Sequence, residues 1–237
     1  MGNKLSALIA FVAAYVVLFS SGAAAQGIYT SGTTGVDVSY PNCSTSIPKN
    51  SFGVVGVTAG LFYSYNGCLA AEASHFNNLS LYTNTGWYDQ SSHIDATTPL
   101  PCAAGDANCL AYNYGYNAAK DAVNYAQSKG VSSATWWLDV ENSNSWSGDV
   151  VQNQNSLQGS HDALQQLAGA ATVGVYSTTA QWQEITGGWQ NDWPNWGATT
   201  WNTVKQAAKY CSGHAFTGGP TYLIQYSGRN IDLDYAC

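Results

Sequence analysis

Trp137-Leu138-Asp139-Val140-Glu141 is an apolar stretch that carries two carboxylates two residues apart. Side chains alternate faces along a strand. With Thr135–Val140 read as a strand, Leu138 and Val140 turn to one side, and Trp137, Asp139 and Glu141 turn to the other. Two more stretches repeat the pattern: Val36-Asp37-Val38-Ser39 and Ile231-Asp232-Leu233-Asp234. In all three the aliphatic residues point one way, as residues beneath helices do, and the carboxylates point the other way. Bare carboxylates are costly to bury. A barrel tolerates them on inward positions at its C-terminal mouth, where water and substrate enter. The pattern therefore predicts an acidic mouth built from the first, fourth and last strands, the first and last being neighbours and the fourth facing them.

The rest of the chain supplies alternating strands and helices. Strands are expected at Val36–Ser39, Val54–Thr58, Leu79–Asn84, Thr135–Val140, Val173–Tyr176, Tyr222–Tyr226 and Ile231–Tyr235, with one more between Trp196 and Trp201. Helices are expected at Asn117–Lys129, stopped by Gly130, at Gln154–Leu167, ended near Gly169, and at Thr203–Tyr210. Thr85–Asn113 is long and turn-rich and reads as an inserted loop. The second and third units show little helix. Strands alternating with helices imply a parallel sheet with crossover helices. The expected fold is a single-domain α/β protein, an irregular (β/α)8 TIM-like barrel, with an open doubly wound sheet as the alternative.

The N-terminus reads as a leader. Lys4 is followed by an apolar run from Leu5 to Phe19, broken only by Ser6, and then by Ala23-Ala24-Ala25. That is the order of a signal peptide over residues 1–25, cleaved before Gln26. The run is shorter than the ~20 residues of a spanning helix. Residues 26–237 then form the exported barrel domain. Six cysteines, Cys43, Cys68, Cys102, Cys109, Cys211 and Cys237, read as three disulfides in an oxidising compartment. Cys102 with Cys109 and Cys211 with Cys237 are the pairings that suggest themselves. There is no Cys-x-x-Cys, and the four histidines are scattered, so neither a zinc site nor any other cofactor is expected. The net charge of −7 becomes one unit more negative without Lys4. That disfavours nucleic acid, which demands basic patches, and anionic surfaces. Trp, Tyr, Asn, Ser, Thr and Gly dominate instead, a set suited to pyranose rings.

Asp139 and Glu141 stand ~7 Å apart along a strand, from a rise of about 3.3 Å per residue. Both can reach one glycosidic bond. Crowding of like charge raises at least one of their pKa values, and glycoside cleavage needs such a protonated acid beside an ionised neighbour. Trp137, on the same face, is either a platform for a sugar ring or a core aromatic. Asp37 alone reads as structural. Asp234, close to the C-terminus, reads as a surface residue.

Taken in order, these motifs resemble glycoside hydrolase family 25, the lysozymes or muramidases. The resemblance rests on Gly35-Val36-Asp37-Val38-Ser39, Asp139-Val140-Glu141, Val173-Gly174-Val175-Tyr176-Ser177, Gln225-Tyr226 and Ile231-Asp232-Leu233. It implies Glu141 as general acid and Asp139 as stabiliser of the cationic intermediate or the N-acetyl group. It further implies Asp37 and Asp232 as supporting carboxylates, and Tyr176, Tyr82, Trp137 and Gln225 as substrate contacts. Two departures stand out. Val57-Thr58-Ala59-Gly60 replaces the family's Lys-Ala-Thr-Glu, and Thr83 rather than His follows Tyr82. The implied protein is a divergent, secreted, lysozyme-like hydrolase of β-1,4 bonds in peptidoglycan or a related N-acetylated glycan of a cell wall. Its expected partner is that polysaccharide, with no nucleic acid and, once the leader is removed, no membrane.

The alternative is a non-catalytic, lectin-like barrel at the cell surface, which has no need of a general acid. A third reading is a surface protein whose aromatics face protein partners. Ser-His-Asp hydrolysis lacks its Gly-x-Ser-x-Gly elbow. Asn42-Cys43-Ser44 and Asn78-Leu79-Ser80 match the N-glycosylation triplet.

Overall fold

The computed structural model describes residues 28–213, 215–228 and 230–237; the leader-like segment around Lys4 and Ala23-Ala24-Ala25 lies outside them. Eight strands close into a barrel in sequence order. They are β1 (Thr34–Val38), β2 (Phe52–Gly56), β3 (Leu79–Asn84), β4 (Thr135–Asp139), β5 (Thr172–Ser177), β6 (Asn195–Ala198), β7 (Thr221–Ser227) and β8 (Asp232–Ala236). Helices α1 (Leu69–Ala73), α2 (Ala107–Ser128), α3 (Val150–Leu167), α4 (Thr179–Thr186) and α5 (Val204–Tyr210) follow β2 to β6 in turn. A single 3-10 turn, Tyr40–Asn42, takes the place of a helix after β1.

The sheet is not wholly parallel, which corrects the expectation of crossovers throughout. β8 runs antiparallel to both β7 and β1. A parallel return needs a connection of a dozen or more residues, and only residues 228–231 separate β7 from β8. The reversal fixes where the last acids lie. Asp232 begins β8 opposite Asp37, at the mouth, and Asp234 lies one step deeper, opposite Gly35.

The alternation read from the sequence appears as two apolar layers. Val38, Val55, Leu81, Trp136, Leu138, Val140, Val173 and Val175 pack outward against helix residues such as Val123, Leu157 and Leu164. Inside the barrel, Phe52, Val54, Trp137, Trp196 and Leu223 form a plug, with Tyr82 and Tyr176 above it. Trp137 needs Gly174 beside it, since a Cβ there would come within 2.4 Å of the indole.

α2 starts ten residues before the expected helix and takes in the end of the presumed insertion. Asp106 caps it, accepting from the Cys109 amide at 3.0 Å. Its first half is poor in helix formers but rich in contacts. Gly115 and Gly159 let α2 and α3 touch backbone to backbone: a Cβ would lie 1.9 Å from Ser156 O in one case and 2.0 Å from Tyr112 O in the other. α4 and the five-residue α1 were not foreseen. Thr178 caps α4 by accepting from the Gln181 amide, and Gly187 ends it at φ 69°. The disulfides are Cys43–Cys68, Cys102–Cys109 and Cys211–Cys237, which include both suggested pairings. Among the described residues, no helix is long and apolar enough to cross a membrane.

Candidate active site

The C-terminal ends of the strands carry the acids. Asp139 is the last residue of β4, and Glu141 lies just past it. Asp37 on β1 and Asp232 on β8 are register partners. The Tyr176 hydroxyl on β5 lies within electrostatic reach of Glu141, Asp37, Asp139 and Asp232, which raise its pKa beyond the effect of burial. Gln225 on β7 joins two of these walls. Its Nε2 donates to both Asp37 oxygens at 3.2 Å, and its Oε1 accepts from Tyr176 Oη at 2.8 Å. The Tyr82 hydroxyl on β3 faces Asp37 and Asp139. A cleft of ≈ 390 Å³ opens from Glu141 over Tyr176, Thr178, Gln181, Trp201 and Gln225.

Burial, more than crowding, sets the proton balance. Asp139 is only 5% exposed, and its carboxyl is held well above the ordinary range, first by burial and then by the charge of Glu141. Its Oδ2 accepts from Asn84 Nδ2 at 2.6 Å. Its Oδ1 has no donor among the described residues. The Asp139 carboxyl also interacts with that of Glu141, and two carboxyls bond to each other only when one holds a proton. Burial raises both, so the pair favours holding one proton between them. Asp37 is pushed up to about 7, by burial and then by the charge of Asp232.

Three placements differ from the sequence reading or go beyond it. Trp137 is 0% exposed and donates from Nε1 to Tyr29 Oη at 3.1 Å, so it is a core aromatic and offers no face to a sugar. Asp234 is not a surface residue. It is 0% exposed, accepts from Trp196 Nε1 at 2.7 Å, and is held well above the ordinary carboxyl range, first by burial and then by the charge of Asp37. Asn84 went unnoticed, though it follows Tyr82 by two residues and alternation places both on one face. Thr58, from the stretch that departs from the family pattern, donates to Asn84 Oδ1 at 2.7 Å and so orients the Asn84 amide towards Asp139. Among the described residues, no group of three or more His, Cys, Asp or Glu is disposed to hold a metal.

An eight-stranded barrel with acids gathered at its C-terminal mouth defines the class: a TIM-like barrel with a glycosidase-type cleft. The model of the family described as lysozyme-like protein 1 matches residues 107–211, the stretch that includes Asp139-Val140-Glu141. Probable GH family 25 lysozyme 4 of Dictyostelium discoideum is 28% identical over 200 residues, covering 78% of this chain and 89% of that protein. Probable GH family 25 lysozyme 5 of the same organism is 38% identical over 109 residues, 42% of this chain and 48% of that one. Two solved structures share the fold. One is a glycosyl hydrolase 25 of Streptococcus pneumoniae (TM-score 0.54, 15% identity, 86% of this chain and 87% of that one). The other is a muramidase from Trichobolus zukalii (TM-score 0.54, 14% identity, 86% and 93%). The chain is thus similar to proteins of glycoside hydrolase family 25, at a distance that sets it apart from them.

Proposed function

We propose that the protein is a secreted, lysozyme-like glycoside hydrolase that cuts β-1,4 bonds in peptidoglycan or a related N-acetylated glycan. The observation that carries this reading is the Asp139–Glu141 pair, which shares one proton at the mouth of the barrel. The kinship with proteins named lysozyme and muramidase supports the substrate class. Three disulfides, together with the leader-like N-terminus, support export.

The chemistry follows from the geometry. A glycan lying across the cleft strips water from Glu141, which is half-buried before anything binds. Loss of water favours its neutral form, so the proton shared by the pair settles on Glu141. Glu141 then donates it to the leaving oxygen. Asp139 becomes ionised, still bonded to Asn84, and stabilises the positive charge that develops at the anomeric carbon or in the N-acetyl group. Gln225 holds Asp37 and is itself held by Tyr176, and Tyr176, Gln225 and Tyr82 contact the sugar.

A lectin-like barrel is the second reading. It is favoured by the departure at Val57-Thr58-Ala59-Gly60. A crystal of the Glu141→Gln variant soaked with a chitin or muramyl oligosaccharide tests the site. A glycosidic oxygen within hydrogen-bond reach of residue 141 is expected; a glycan bound away from β4 contradicts the assignment.

A further inference from the structure

A second concavity lies on the same face of the barrel, on the other side of β4 from the cleft, and it takes no part in the chemistry above. Its volume is ≈ 220 Å³. It is built by the loop after β2, the long loop after β3 and the loop after β4. Resting on the proposed hydrolase reading, we infer that this pocket is a remote binding site for one neutral pyranose ring of the same glycan, and that the β3–α2 loop exists to form it.

Four observations carry this. First, the walls are aromatic. Phe62, Tyr63, Trp87 and Tyr114 form a cluster of their own, with Tyr63 and Tyr114 set edge to face at 6.0 Å and Trp87 and Tyr114 at 5.3 Å. His93 stacks on Tyr63 at 3.7 Å, and the Tyr88 side chain stands exposed beside them. Flat rings bordered by Ser91 and Asn144 suit a sugar, which is apolar on its faces and polar at its edge.

Second, the lining contains no Asp, Glu, Lys or Arg, in contrast to the acidic cleft next to it. A charged peptide branch or an anion would find no partner there, whereas a neutral ring loses nothing. The volume is below the ~300–1,000 Å³ of sites that enclose whole drug-sized ligands, and so it suits one ring.

Third, the pocket adjoins the end of β4 that carries Asp139. Thr85 and Asn144 line it, and both grip the carbonyl of Asp139: Thr85 through its amide at 3.1 Å and its hydroxyl, Asn144 through Nδ2 at 3.0 Å. A glycan lying over Asp139 and Glu141 from the first cleft therefore runs on towards the second.

Fourth, the pocket is held open in advance. Tyr63 sits at φ 55°, a left-handed conformation that costs a non-glycine residue ~1–3 kcal/mol and that clusters at ligand clamps. The loop is fixed by Cys102–Cys109 and by Asn113, which is wholly buried and donates to Asp95 O and Leu100 O at 2.8 and 2.7 Å. Ordering these groups before binding removes a cost that a flexible loop would meet on binding.

The test uses a length series of β-1,4 N-acetylated oligosaccharides with the full protein, His93→Ala and Ser91→Trp. The first variant removes an exposed wall ring, and the second fills the pocket. The ratio of kcat/KM on the longest substrate to that on the shortest one cleaved should fall about tenfold in both, the scale of a lost ring contact. An unchanged ratio in both overturns the proposal. If the wild type cleaves no member of the series, the hydrolase reading fails, and the pocket is judged by binding instead. Titration with the longest oligosaccharide should then shift the Trp87 indole N–H signal in NMR, and Ser91→Trp should abolish the shift. A wild-type signal that does not move overturns the pocket even then.

Discussion

Asn84 shows how one amide sets the character of a buried carboxyl at the mouth of the barrel. It donates to Asp139 Oδ2 at 2.6 Å, and Thr58 holds its oxygen at 2.7 Å. Asn84→Ala leaves a buried carboxylate without its donor, and such a bond to a charged group is worth ~1.5–3 kcal/mol. Activity should drop about tenfold or more in kcat. The Asp139 carboxyl, already held high by burial, should rise further, and the limb of the pH–rate profile that reports its ionisation should move to higher pH. An unchanged pH profile would mean that Asn84 only fills space. Asp139→Asn removes the stabilising charge and should cost ~10²–10³-fold in kcat. Period-two alternation made Asp37, Asp139, Glu141 and Asp232 legible in the sequence, because an acid within an aliphatic strand has few places to go. It could not rank them. Burial depends on neighbours contributed by other strands, and so the sequence hid the depth of Asp234 and the seating of Trp137 in the plug.

At the scale of elements, the aliphatic strands were legible and the weak helices were not. β3 was read to the residue, and β1, β2, β4, β5 and β7 to within two residues at either end, since alternation survives in any context. The first half of α2, with Asn113, Gly115 and Asn117, has poor intrinsic helix propensity. It forms because of what it meets: the Asp106 cap and the backbone of α3. That makes a prediction with a sign opposite to propensity. In an exposed helix, Gly→Ala stabilises by up to ~1 kcal/mol. Gly159→Ala should instead destabilise by ~1–3 kcal/mol, because its Cβ would fall 2.0 Å from Tyr112 O. Gly148→Ala, where a Cβ meets nothing within 4 Å, is the control. Urea midpoints compare them; equal midpoints would refute close packing of α2 on α3. The reversed strand β8 was hidden for a related reason. Alternation has no direction, and only the short 228–231 connection, read against the length a crossover needs, gives the reversal away.

The whole molecule gathers raised carboxyls, and its stability should depend on pH accordingly. Asp37 rises from the ordinary Asp value to about 7, and Asp139 and Asp234 rise as well. Between the unfolded value near 4 and the folded value near 7, the native state binds more protons than the unfolded chain. Stability is therefore full below that window and falls as pH rises through it. For Asp37 alone the change is of the order of 4 kcal/mol. Melting temperature should be higher at pH 5 than at pH 8, and Asp234→Asn should flatten the difference. A melting temperature that climbs with pH would show that these acids are ionised in the native barrel. The net charge of −7 adds repulsion in the same direction. The same barrel brings β1, β4, β5, β7 and β8 to one mouth. Cleavage at that mouth is measured by the release of reducing ends from a cell-wall peptidoglycan or chitin preparation, for the wild type and for Glu141→Gln. The wild type should release them, and Glu141→Gln, which keeps the shape of the side chain but has no proton to donate, should be slower by ~10²–10⁴-fold. Full activity in Glu141→Gln, or a wild type that binds both polymers and cuts neither, would contradict the account.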